Sequence, residues 1–115
     1  MSAADVLTTV LAWFREAKVA SLDLPDHSFG GPGRSLHQLT RAEAWNDRLL
    51  LELDKQLLLV LTAPGEPLVA QEELVFDKYD QLVFDWQEYG NKRPHLEVYN
   101  AGAVRFVAQP RPGSL

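Results

Sequence analysis

Seven residues near the C-terminus, Asp85, Gln87, Tyr89, His95, Glu97, Tyr99 and Arg105, carry hydrogen-bonding or titratable groups at alternate positions. In extended chain, alternate residues share one face. If Gly90-Asn91-Lys92-Arg93-Pro94 is the connecting loop, Tyr89 falls opposite His95, Gln87 opposite Glu97 and Asp85 opposite Tyr99. A three-residue turn at Asn100-Ala101-Gly102 then sets Arg105 against Glu97, while Phe84, Trp86, Glu88, Leu96, Val98, Val104 and Phe106 form the complementary, mostly apolar face. Such a polar patch would serve as a binding face, or as an acid/base site with His95 and Glu97 as the proton-transfer groups. The same composition also suits a solvated sheet face, in which each cross-strand pair adds about 0.2–1 kcal/mol.

A second set of groups surrounds the glycine- and proline-rich segment that runs from Leu24 to Ser35. A pocket between this loop and the sheet, with Phe29 and Gly30 on the loop and His37 just beyond it, would use His37, His95 or Glu97 as its polar groups. The segment is no phosphate loop, because it lacks the Gly-Lys-Ser/Thr ending and its prolines remove amide donors. His27, His37 and His95 are far apart in sequence without a metal-ligand spacing, so neither a metal nor a cofactor is expected. There is no cysteine, and Ser28, Ser35 and Ser114 lack the Gly-x-Ser-x-Gly elbow of a hydrolase. These absences favour a small non-enzymatic binding or protein-interaction domain, with a ligand-binding protein or enzyme built on the loop pocket as the alternative.

The elements that must hold these groups are legible from periodicity. Val6, Leu7, Val10, Leu11, Phe14 and Ala17 recur at helical spacing between Ala3 and Val19, with Trp13 at the margin of the stripe. Ser2 and Asp5 make a capping box with Asp in place of the preferred Glu. From Leu36 onward the chain reads as strands near Leu36–Trp45, Arg48–Leu53, Leu57–Thr62, Leu68–Ala70, Leu74–Asp77, Gln81–Tyr89, His95–Tyr99 and Ala103–Ala108, separated by short turn signals. The prediction is one α+β domain over residues 1–108, its N-terminal amphipathic helix packed on a curled antiparallel β-meander or partly closed barrel, followed by a flexible tail over 109–115.

The run from Leu49 to Leu61 is apolar on both faces. A three-residue turn at Asp54-Lys55-Gln56 pairs Leu49, Leu51 and Leu53 with Leu61, Leu59 and Leu57 on one face, and leaves Leu50, Leu58 and Val60 on the other. One helix covers one face of a sheet. The second face therefore calls for sheet closure or a homodimer.

Composition narrows the partners. The chain of 115 residues is 46% hydrophobic and 23% charged, which is globular, and its formal charge of −5 comes without a Lys/Arg cluster. Nucleic acid is therefore not an expected partner. The N-terminus lacks the basic start of a signal peptide and no apolar run approaches a membrane span, so a cytoplasmic location away from membranes is expected.

Phe29-Gly30-Gly31-Pro32, His37, Trp86 through Tyr89-Gly90, and Glu97-Val98-Tyr99 resemble positions in a group of small bacterial proteins of uncharacterised function, which share a Phe-Gly-x-Pro loop and a Trp-x-x-Tyr-Gly strand end. The resemblance covers Pro25 to Val107. It implies a compact stand-alone domain and carries no catalytic residues across.

Overall fold

The computed structural model describes residues 2–29, 35–86 and 95–108. Ser2 caps helix α1 (Ala3–Ala17) through a capping box: its hydroxyl accepts from the Asp5 amide and the Asp5 carboxylate accepts from the Ser2 amide. Among the described residues ten strands follow: β1 (Val19–Asp23), β2 (Ser28–Phe29), β3 (His37–Trp45), β4 (Arg48–Leu53), β5 (Leu57–Thr62), β6 (Leu68–Val69), β7 (Glu73–Phe76), β8 (Gln81–Trp86), β9 (His95–Tyr99) and β10 (Val104–Ala108). They form one antiparallel sheet in the order β6-β7-β10-β1-β3-β4-β5-β8-β9, with β2 paired to β1. Among the described residues the sheet does not close by backbone pairing; β6 and β9 are its ends. No helix among the described residues is long and apolar enough to cross a membrane.

The central hairpin has the register its leucines demand. Leu49, Leu51 and Leu53 face Leu61, Leu59 and Leu57, and all six are buried in the core. Asp54 and Lys55 take positive φ, and the Gln56 amide donates to the Leu53 carbonyl, as in a type I′ turn. Val6, Val10, Trp13 and Phe14 of α1 close over this core, together with Phe76 of β7 and Phe106 of β10. The helix is rotated relative to the stripe read from sequence. Trp13 is buried and its indole N–H donates to the Ala70 carbonyl at 2.8 Å, whereas Leu11 is exposed. Satisfying the indole N–H while burying its ring fixes that rotation.

Strand β1 was not marked by periodicity, yet it joins the two halves of the sheet. Its one edge takes β10, and its other edge takes β3 at Val19-Ala20 and β2 at Leu22-Asp23. Ala20, Ser21 and Leu22 are consequently buried on both faces.

The C-terminal strands depart from the expected register. Trp86, not Tyr89, stands opposite His95, followed by Leu96 opposite Asp85, Glu97 opposite Phe84 and Tyr99 opposite Leu82. A shift by an odd number of residues exchanges the faces. Strand β10 does not return beside β9 at all: Arg105 lies between Asp23 of β1 and Val75 of β7, and forms an ion pair with Glu73 at 3.2 Å. The continuous polar patch expected across three strands therefore does not form. Residues 109–115 lie outside the described residues.

Leu51 and Leu59 are fully enclosed, so Leu51→Ala or Leu59→Ala leaves a cavity and is expected to cost about 2–5 kcal/mol, measured by urea unfolding. Glu52→Ala on the other face of the same strand is expected to cost under about 1 kcal/mol.

Candidate functional site

The open side of the curled sheet runs between the β1–β2 turn and the β8–β9 hairpin, and the groups with chemical potential gather there in two places. The first is a pocket of about 420 Å³ lined by Phe29, Ser35, Leu36, His37, Asp54, Gln56, Leu57 and Trp86. Phe29 reaches it from the two-residue strand β2, packing edge-on against Phe84 and Trp86 at centroid separations of 5.4 and 5.1 Å. The His37 ring lies 5.7 Å from that of Phe29.

His37 opens β3 and is buried. Its Nδ1 is 2.6 Å from Asp54 Oδ2, and Asp54 Oδ1 accepts from the Gln38 amide at 2.9 Å. The Asp54 amide donates in turn to the Gln38 carbonyl. Asp54 thus ties the β4–β5 turn to the start of β3 while orienting the imidazole, in the manner of a carboxylate that fixes a histidine tautomer. His37 Nε2 is buried and has no hydrogen-bond partner among the described residues. Nothing about Asp54 beyond its place in a turn marks it in the sequence; its positive φ and its side-chain bonds become visible only with β3 beside it.

The second place is the seam itself. Glu97 and Tyr99 point to the inner side of β9, an end strand, where they meet Asp26 and His27 from the turn after β1. The Tyr99 hydroxyl lies 2.5 Å from Glu97 Oε1 and 2.8 Å from Asp26 Oδ1. His27 Nδ1 lies 2.5 Å from Asp26 Oδ1, and its Nε2 lies 3.6 Å from Glu97 Oε1. Burial, together with the neighbouring Glu97 and Asp26 carboxylates, pushes the Tyr99 phenol well above its usual range, so it remains a donor. The hydrogen bonds from Tyr99 and then His27 hold the Asp26 carboxyl below its ordinary value. An inward-facing charge on a sheet end also discourages pairing with another chain at that edge.

Of the residues singled out by sequence, Phe29 and His37 meet in the pocket, and Glu97 and Tyr99 meet in the seam. Asp85 sits opposite Leu96 on the outer face and Arg105 is in the other half of the sheet. His95 pairs with Trp86 through the backbone, while Gly30, Gln87 and Tyr89 lie outside the described residues. Asp26, Asp54 and Trp86 are the additions. Only the last carried a signal, as an aromatic in a strand.

A second groove, of about 590 Å³, lies between α1 and β6 and is lined by Thr8, Thr9, Ala12, Trp13, Glu16, Val69, Ala70 and Gln71. It is larger than the first but holds only one titratable group, Glu16, so the first pocket carries more chemistry. No protein-family model, curated protein or solved structure matches the chain.

Asp54→Ala removes the partner of a buried imidazole and puts alanine at positive φ, and is expected to cost about 1–3 kcal/mol or more in urea unfolding. Asp54→Asn keeps an acceptor and tolerates that backbone, so it is expected to cost less.

Proposed function

We propose that this protein is a small-molecule-binding domain whose site is the pocket between Phe29, His37, Asp54 and Trp86. The observation that carries this reading is the oriented His37–Asp54 pair beside an aromatic wall, in a cavity whose size falls within the range of small-ligand sites. Among the described residues that line the pocket, Asp54 is the carboxylate. A planar, largely apolar ligand bearing a hydrogen-bond donor or a positive charge suits the aromatic wall and the Asp54 carboxylate. The groups support binding, and no reaction is assigned to them.

Titration with benzamidine and indole, followed by amide spectra of the labelled protein, tests the site. Shifts are expected to centre on Phe29, Ser35–His37, Asp54–Leu57 and Trp86, and Trp86→Ala is expected to abolish them. Shifts confined to Thr9, Trp13 and Val69 would move the site to the groove beside α1.

A specific feature favours a second role in self-association. On the outer face, Val60, Val83 and Val98 form a row across β5, β8 and β9 that continues from the already buried Leu50 of β4, flanked by Leu58 and Leu96. Leu96 and Val98 are 60% and 49% exposed. A two-fold homodimer buries such a row against its own copy. Light scattering over a dilution series is expected to show dimer at high concentration, and Val98→Glu is expected to shift it to monomer.

A further inference from the structure

We infer that a second copy of this chain docks on the outer face through two reciprocal ion pairs, Arg48 of each copy meeting Asp85 of the other, with Val60 at the centre. This rests on the self-association reading given above and adds to it which charges meet and how the two sheets cross.

Cross-strand register sets the geometry. On β5, Thr62 and Leu58 stand two residues to either side of Val60; Arg48 of β4 lies opposite Thr62, and Asp85 of β8 lies opposite Leu58. Arg48 and Asp85 are therefore displaced equally and in opposite directions from Val60, each by one strand spacing and two residues of rise, or about 8 Å. A two-fold axis that passes through Val60 in the plane of contact, at right angles to the Arg48–Asp85 line, sets Arg48 over Asp85 of the partner subunit. Symmetry repeats the contact on the other side. The strands of the two copies then cross at about 70°, close to the orthogonal class of face-to-face sheet packing.

Charge complementarity selects this pairing. On β3 and β4, Arg41 and Glu43 close on each other at 2.9 and 3.0 Å, and Glu52 accepts from the Thr40 hydroxyl at 3.0 Å. Arg48 and Asp85, one of each sign, are left on this face without a side-chain ion pair or hydrogen bond among the described residues. Asp85 is the less settled of the two: its Oδ1 is shut off from solvent without a partner, and Leu58 and Leu96 stand opposite it on the neighbouring strands. A carboxylate that has lost part of its hydration gains more from a guanidinium than a fully hydrated one does. The cross-strand neighbour of Arg48 on β3 is Trp45, 39% exposed. The same axis brings the Trp45–Arg48 corner of one copy to the Asp85–Leu96 corner of the other, and Trp and Arg are the residue types that most often anchor interfaces.

Sedimentation of the wild type, Arg48→Glu, Asp85→Arg and the double variant over a dilution series tests the pairing, with circular dichroism to show that each is folded. The wild-type dimer is expected to weaken with added salt. Each single reversal sets like charges together at both contacts and is expected to weaken dimerisation at least about tenfold. The double variant is expected to regain it. Equimolar mixing of the two single variants is expected to give a mixed dimer that neither forms alone, because both contacts then join opposite charges. A dimer indifferent to both reversals, a wild-type dimer that tightens with added salt, or a loss recovered in neither the double variant nor the mixture would overturn the inference and leave the self-association reading in place. A wild type that stays monomeric at high concentration would overturn both.

Discussion

Backbone pairing along Val19–Asp23 is the constraint on which everything else in this molecule hangs. Ala20 to Asp23 take β10 along one edge, while the other edge is divided between β3 at Val19-Ala20 and β2 at Leu22-Asp23. Because β3 leads into the leucine hairpin and β10 into β7, this strand joins the half of the sheet that holds the core leucines to the half that holds Phe76 and Phe106. Two neighbours in sequence, β2 and β3, share one edge of β1. That division turns Phe29 and His37 toward each other and brings them to the same pocket. The pocket is thus a consequence of how β1 is paired before it is a matter of side chains.

The path of the sheet from β3 to β9 then determines the seam. Each strand in that series is antiparallel to the last, and the inner rows run continuously: Leu49, Leu61, Leu82 and Tyr99 in one, Leu51, Leu59, Phe84 and Glu97 in the next. Both of these rows start in the apolar core and end on a polar group at β9. The polar ends are tolerated because β9 has no further strand beyond it and because Asp26 and His27 stand there to meet them. The sheet is held at this side by hydrogen bonds between side chains where a closed barrel would have backbone pairing.

How much of this could be read in advance follows from where the pattern is redundant. The leucine hairpin was legible to the residue, since apolar residues on both strands and a polar three-residue turn leave one register that buries Leu49, Leu51, Leu53, Leu57, Leu59 and Leu61 together. Helix α1 was legible in extent through Ser2 and its apolar spacing, but its rotation depended on the Trp13–Ala70 bond, a contact across 57 residues. Strand β1 was silent because a five-residue stretch of Val-Ala-Ser-Leu-Asp has no alternation when both faces are buried. For the β8–β9 pair, Gly90 and Pro94 suggested a short loop, whereas pairing begins at Trp86 and His95. Residues Asp85 to Tyr99 alternate in a way that fits either register, so nothing local separates an outward patch from an inward row ending in Glu97 and Tyr99.

The candidate site shows the same division. Phe29 and His37 were readable because a glycine-rich loop next to a histidine and an aromatic residue already describes a lining. Asp54 was not, since its contribution depends on β3 lying against a turn that belongs to the next hairpin. Nor was the meeting of His27 with Glu97, which requires the whole series from β1 through β9 to be in place. Residues that acquire chemistry only by long-range pairing have no local signature. In a chain whose central strand is itself silent in sequence, the chemistry accordingly collects along the one line, the seam, that the pairing leaves open.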